Sequence, residues 1–283
     1  MSHGIGKDED VGAALARLVE HDLVAARVTL GGIGAAEGRI HRTRQKLKRV
    51  RSLLKVLEPV CADTTVAAKK KVSDAARLLS GARDADAAAA SARGLRQSVP
   101  GRDPALDRLV ASLDRDARAH HTRAPAMAAA AALIAEAEEL VHALPDGVDG
   151  TALLERALVH AYRRGAKSLA RAERSLAVSD LHRWRKHVKH LWHLIRLARK
   201  RLPGDTERFA ARLEDLAERL GLDHDHAILA AKLAESPTGE PALSRQFRLI
   251  AERRRRLEAE AFALGERLYA KNAKRFRRRL RVD

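Results

Sequence analysis

The chain is poor in aromatic residues, in cysteine and in long apolar runs. Its eight aromatic residues make up 3% of 283 residues, so a core must be built from Leu, Val, Ile and Ala. With the abundant Arg, Lys and Glu, this mix favours helices over strands. Cys61 is the one cysteine, which excludes an intramolecular disulfide and is typical of a reducing compartment.

The scarcity of apolar runs bears on location. The longest one, APAMAAAAALIA at 124–135, is too short and too rich in alanine to span a bilayer. The first residues also lack the pattern of a secretory signal peptide. Together these features predict a cytoplasmic protein that has no membrane as a partner.

Positive charge, in contrast, is plentiful. The 55 Lys and Arg residues outnumber 37 Asp and Glu residues, so the net charge is +18. A surplus of this size predicts a polyanionic partner, and composition alone leaves nucleic acid, an anionic membrane surface and polyphosphate as candidates.

The hydrophobic pattern predicts an all-α fold. Apolar residues recur with helical spacing, and no segment alternates as a strand would. Gly and Pro separate the segments, for example at Pro100-Gly101 and Pro203-Gly204. The predicted helices are about 9–30, 36–58, 64–96, 103–143, 149–175, 179–202, 205–234 and 241–280.

The chain also repeats itself at an offset of 141 residues. IHRTRQKLKRVRSLLKVL at 40–57 aligns with LHRWRKHVKHLWHLIRLA at 181–198, and the same ungapped register carries Asp84 onto Asp225. This register indicates an internal duplication, with four-helix repeats at 9–144 and 149–281 inside a single domain of residues 1–283.

One face of the repeated helix carries most of the charge. At about 100° per residue, the basic side chains form a stripe beside the apolar face. In the first repeat the stripe holds His41, Arg44, Lys48, Arg51 and Lys55; in the second it holds His182, Arg185, Lys189 and Arg196, with Trp192 at the place of Arg51. A single stripe is usually a solvated face. Two stripes in one register, each headed by His, predict an anion site shared by both helices, and the mixture of His, Arg and Lys suits closely spaced phosphates.

Matched residues on the third and seventh predicted helices extend this hypothesis. Lys71 aligns with Arg212, and both could contact an anion. Asp84 and Asp225 would repel an anion, so two interpretations remain open. They either orient the Arg and Lys side chains of the site or form ordinary salt bridges on helix surfaces.

The repeated motif resembles a known family. The pattern H-x-x-R-x-x-x-[KR]-[KR]-x-R is present as His41, Arg44, Lys48, Arg49 and Arg51, followed by Leu79, Ser80, Arg83, Asp84 and Asp86. The chain is similar to the CHAD domain, the conserved histidine α-helical domain. The resemblance implies two pseudo-symmetric four-helix bundles around a basic central channel that binds inorganic polyphosphate, with no catalysis and no cofactor, and it implies attachment to polyphosphate granules. We find no E-x-E-x-K signature of the CYTH domain, so a stand-alone CHAD protein is expected.

Two alternatives from other functional classes remain. A nucleic-acid-binding protein fits the charge, although few aromatic residues are present to stack on bases. A metal-dependent phosphohydrolase of the HD type could use the His-Asp pairs at His21-Asp22 and Asp223 to His226.

Overall fold

The computed structural model describes residues 4–99, 101, 103–121, 124–142, 149–204, 206–235 and 240–280. Over these ranges the protein is helical and contains no β-strand, which confirms the all-α prediction. The helices are α1 (Val11–Gly31), α2 (Ala36–Leu57), α3 (Ala62–Leu78), α4 (Ser80–Ser98), α5 (Pro104–His121), α6 (Ala124–Val141), α7 (Gly150–Ser175), α8 (Val178–Ala198), α9 (Thr206–Ala234), α10 (Glu240–Tyr269) and α11 (Ala273–Leu280), with one 3-10 turn at Arg199–Arg201.

Three of the predicted helices are each divided into two, so the expectation of eight helices is wrong. The segment 64–96 becomes α3 and α4, the segment 103–143 becomes α5 and α6, and the segment 241–280 becomes α10 and α11. Pro125 lies in the first turn of α6, where a missing amide donor costs nothing, rather than at a kink inside a long helix.

Side chains that bind carbonyl groups account for the break between α3 and α4. A helix continues only while each carbonyl accepts from the amide four residues on. Here the Ser80 hydroxyl donates to the Arg77 carbonyl, and the Arg44 guanidinium donates to the Ala76 carbonyl. Leu79, between the helices, leaves the helical region with φ −91° and ψ 4°.

A similar arrangement separates α10 from α11. The Tyr162 hydroxyl is placed to donate to the Leu268 and Lys271 carbonyls, and the Asn272 side chain accepts from the Arg275 amide as an N-cap. The Phe276 ring of α11 stacks on Tyr162 with centroids 4.1 Å apart. Tyr162 therefore holds the end of the chain against α7.

The helices share two hydrophobic cores that do not follow the predicted repeats. The larger core joins α1, α2, α3 and α6 to α7, α8, α11 and parts of α9 and α10, and it contains the fully buried Trp184. The smaller core packs α4 and α5 against the end of α9 and the first half of α10, through Leu95, Leu106, Leu229 and Ile250. Helices from both halves of the chain are therefore needed to complete the smaller core.

Helix boundaries recur at the predicted offset in the central helices. Subtracting 141 from the bounds of α8 gives 37–57, against 36–57 for α2. The same subtraction places α9 at 65–93, where α3 and α4 lie. The duplication itself remains an interpretation of this correspondence.

Across the described ranges, no helix combines the length and the apolar character needed to cross a bilayer.

Candidate anion-binding site

A cavity of about 660 Å³ lies between α2 and α8, and we call it the α2–α8 cavity. Many of the predicted binding residues meet there, from two helices whose sequences are more than a hundred residues apart. Its predicted basic residues are His41, Arg44, Lys48, Arg49, Arg185, Lys189 and Arg196. The structure thus brings the two basic stripes together over part of their length, as the repeat predicted. A continuous central channel remains a prediction.

Arg44 is held by the break between α3 and α4. Its Nη1 donates to the Ala76 carbonyl at 2.5 Å, near the C-terminal end of α3, where helix carbonyls carry partial negative charge. This contact fixes the guanidinium without using a carboxylate. The positive charge of Arg44 is therefore positioned but not neutralised by this bond.

Arg185, the matched residue of α8, is positioned in a different way. Because α9 continues unbroken past this point, no carbonyl is released; instead the guanidinium packs against Gly221. A Cβ atom at Gly221 would lie 2.9 Å from Nη2 of Arg185. Glycine is therefore what admits this side chain between α8 and α9.

Arg49 has a carboxylate partner that the sequence analysis did not identify. Its Nε and Nη2 donate to the two oxygens of Asp22 on α1, at 2.8 and 2.6 Å. Asp22 is 3% exposed, and the hydrogen bond from its carboxylate raises the pKa of Arg49. This paired geometry orients Arg49 on the cavity wall and neutralises much of its charge.

Trp192 forms a shared wall between two cavities. It lines the α2–α8 cavity and a neighbouring cavity of about 330 Å³, and Arg185 and Lys189 also line both. The Arg196 guanidinium lies 4.8 Å from the centroid of the Trp192 ring, which is cation–π geometry. Tryptophan at this position of the repeat thus supports a cation on the next turn of α8.

The smaller cavity has an acidic wall on α9. Glu214, Glu218 and Asp225 line it opposite Arg185 and Lys189. This placement fits the hypothesis that Asp225 orients basic side chains, and the orienting role stays a prediction. The side chain of its counterpart, Asp84, lies outside the described residues.

Several predicted residues do not line the α2–α8 cavity. Lys71 forms an ion pair with Glu136 of α6, and Arg212 is exposed on α9. His182 lies against His224 of α9, with ring centroids 4.1 Å apart. Arg51 and Lys55, on the last turns of α2, face α7 and the first half of α8, where their charges act on Lys186 and His187. The stripe on α2 therefore divides near Ser52.

The sequence analysis missed other residues that line the cavity. They are Gln45, Ser52, His193, Arg199 and Lys200. Arg199 and Lys200 belong to the basic run that follows α8, which was readable as charge but not as part of a site. His193 and Ser52 occupy the same position of the two repeats, and the exchange of His for Ser hid the correspondence.

Four histidines of α8 are disfavoured as cations. Burial lowers the pKa of His182, His187 and His193 to about 4 and that of His190 to about 3, and neighbouring positive charges lower each of them further. These imidazoles are therefore neutral at pH 7, so in the free protein they contribute hydrogen bonds rather than charge.

The neutral histidines predict that the protein loses stability in mild acid. In an unfolded chain, histidine has a pKa of about 6.5, so between roughly pH 6.5 and 4 the unfolded state binds more protons than the folded state. Stability therefore falls as the pH falls through this window. Thermal unfolding followed by circular dichroism at pH 7.5, 6 and 5 should show a falling midpoint, and His190→Asn should flatten this dependence. A midpoint that is constant down to pH 5 would contradict the prediction.

The His-Asp pairs do not form a metal centre among the described residues. Within those ranges no group of three or more His, Cys, Asp or Glu side chains is placed to hold a metal ion. Asp22 is bound by Arg49, and Asp223, which is 1% exposed, accepts from Arg254 at 2.8 Å. Both carboxylates therefore serve as arginine partners.

Comparison with known proteins identifies the family. The model of the CHAD domain family matches residues 11–234. The chain belongs to the CHAD domain family. Among solved structures, this CHAD protein is similar to the CHAD domain from the plant Ricinus communis, with 19% identity, a TM-score of 0.63 and coverage of 95% of both chains. At this identity the likeness concerns the fold. No curated protein matches the sequence.

Proposed function

We propose that this CHAD protein binds inorganic polyphosphate in the α2–α8 cavity without catalysing its hydrolysis. One observation carries the proposal: Arg44 and Lys48 of α2 line the same cavity as Arg185 and Lys189 of α8. Two rows of cations around one elongated space suit a ligand with a charge at every repeating unit.

The way in which the arginines are held supports the proposal. Arg44 is positioned by a backbone carbonyl, Arg185 by the space above Gly221 and Arg196 by the Trp192 ring. Those contacts orient guanidinium groups while leaving their charge available to an anion. Phosphate oxygens are matched by the paired N–H groups of arginine, and lysine adds mobile point charges.

We expect affinity to rise with the number of phosphates. Pyrophosphate can contact only part of the cavity wall, whereas a longer chain can contact both helices. Calorimetric titration with pyrophosphate, tripolyphosphate and long-chain polyphosphate at two salt concentrations measures this rise. Equal affinity per molecule for pyrophosphate and the long chain would contradict the proposal, as would binding that does not weaken with salt.

Non-specific nucleic-acid binding is the second candidate, because the net charge of +18 attracts any polyanion. The cavity offers one aromatic side chain, Trp192, and that ring already supports Arg196. We expect polyphosphate to displace duplex DNA when both are present at the same phosphate concentration. The reverse order would favour nucleic acid. Incubation of polyphosphate with the protein and Mg²⁺ or Mn²⁺, followed by assay of released phosphate, tests the absence of catalysis. Microscopy of a tagged protein tests the predicted cytoplasmic location on polyphosphate granules.

Gly221→Ala should separate binding from stability. The added Cβ displaces the Arg185 guanidinium, so we expect a loss of affinity for tripolyphosphate of about tenfold, comparable to one charge-assisted hydrogen bond. Alanine inside α9 should leave unfolding unchanged or stabilise the helix by up to about 1 kcal/mol. Titration and urea unfolding of the same variant measure both effects, and Gly94→Ala, where a Cβ meets nothing within 4 Å, is the matched control. Unchanged affinity in Gly221→Ala would show that Arg185 needs no close approach to α9.

A further inference from the structure

A second basic surface adjoins the α2–α8 cavity, and it contains the part of the α2 stripe that turns away from the cavity. We call it the α2–α7–α8 surface. Its members are Arg51 and Lys55 of α2, Arg164 of α7, and Lys186, His187 and His190 of α8. These three helices pack on one another, and none of the six residues lines the α2–α8 cavity.

The hydrogen bonds of His187 show how this surface is organised. Arg164 places Nε and Nη2 at 3.4 and 3.3 Å from Nε2 of His187, while Ser168 contacts Nδ1. A guanidinium can only donate, so Nε2 must accept and the imidazole is neutral, with its proton on Nδ1 directed to Ser168. His187 thus holds the Arg164 guanidinium in place without neutralising its charge.

A second histidine joins the surface to the cavity. Nδ1 of His190 lies 3.1 Å from the hydroxyl of Ser52, and Ser52 lines the α2–α8 cavity. The surface and the cavity therefore meet at this contact. A flexible chain of anions held in the cavity needs to pass only this pair to reach Lys55 and Arg164.

The charge of this surface is not compensated by carboxylates. Over the described part of the chain, no Asp or Glu forms a salt bridge with Arg51, Lys55, Arg164 or Lys186, and the nearby Glu58 is bound to Lys69. Because the cations repel one another, their presence together lowers the pKa of Lys55 and Lys186 beyond the effect of burial. Anions would relieve this repulsion.

We propose that the α2–α7–α8 surface binds a further segment of the same polyphosphate chain whose first segment occupies the α2–α8 cavity. This inference rests on the proposed function and extends it, because it assigns short chains to the cavity alone and long chains to both regions. The gain in affinity between tripolyphosphate and a long polymer then comes from Arg51, Lys55, Arg164 and Lys186.

The test compares variants that remove equal charge from different places. Arg164→Ala with Lys186→Ala removes two cations from the surface, and Arg248→Ala with Arg255→Ala removes two from the exposed side of α10. Each protein is titrated with tripolyphosphate and with polyphosphate of about a hundred units at several salt concentrations. We expect the surface variant to lose about tenfold or more in affinity for the long chain, as two charge-assisted contacts would give. Its salt dependence should fall by about 0.7 per contact in the slope of log K against log salt, the value for single-stranded polyanions. Its affinity for tripolyphosphate should stay within about twofold of the α10 control.

The outcomes separate this inference from the proposed function. If the wild-type protein binds neither ligand, the proposed function fails. If it binds both and the surface variant matches the α10 control with the long chain, the inference is overturned while the cavity proposal stands. If the surface variant loses affinity equally for tripolyphosphate, the surface belongs to the short-chain site and the division into two segments is wrong. Circular dichroism of each variant confirms that the helices remain folded.

Discussion

Replacing Arg44 or Arg185 by alanine is expected to weaken polyphosphate binding by about ten- to hundred-fold, since a hydrogen bond to a charged group contributes about 1.5–3 kcal/mol. The two residues occupy matched positions of the repeat and line one cavity, so each variant should weaken the same binding event. Calorimetric titration of wild type and both variants with tripolyphosphate measures the loss.

The stoichiometry distinguishes one shared site from two separate ones. With one site, the wild-type protein binds a single tripolyphosphate in the cavity and both variants bind it more weakly. With two sites, the wild type would show two binding events and each variant would lose one, which would contradict a cavity shared by α2 and α8. Arg212→Ala is the control, because Arg212 is exposed on α9 and lies outside the cavity lining.

Replacing Asp22 by alanine is expected to lower the free energy of unfolding by about 2–4 kcal/mol. Breaking a buried ion pair leaves the remaining charge without a partner and costs about 3–5 kcal/mol. Arg49 is 31% exposed at its side chain, so water compensates part of this loss. Urea unfolding at pH 7.5 measures the effect, and the denaturation midpoint should fall without a large change in slope.

An exposed ion pair provides the control for Asp22→Ala. Asp74 bonds Lys70 and Arg77, whose side chains are 75% and 74% exposed, so Asp74→Ala should cost less than about 1 kcal/mol. If Asp22→Ala costs no more than Asp74→Ala, the pair between Asp22 and Arg49 contributes only orientation. Tripolyphosphate titration of Asp22→Ala then shows whether the freed Arg49 binds the anion more or less tightly.

The helical breaks mark where reasoning from the sequence was insufficient. Leu79 and Ser80 carry no Pro or Gly signal before them, and the matched segment of α9 continues through Gly221. The difference depends on Arg44, which reaches across from α2 to take the Ala76 carbonyl. A contact between residues 32 positions apart is invisible to local propensity, which is why one long helix was expected.

The site was also divided in a way that periodicity could not predict. A stripe along a helix describes one direction in the frame of that helix, and it stays beside a partner only near the point where the two helices cross. Lys48 lies on the cavity side of α2, whereas Lys55, two turns later, lies against α7 and the start of α8. His182 likewise heads its stripe but packs against His224.

The sequence by itself determined the helical class, the surplus of positive charge and the repeated motif that places Arg44 and Arg185 in equivalent positions. These properties depend on composition and on spacing along one helix. Tertiary structure alone decided that Asp22 pairs with Arg49, that Gly221 admits Arg185 and that α4 and α5 complete their core with α9 and α10. Each of these depends on the distance between helices that are remote in sequence, and that distance follows from how the cores pack.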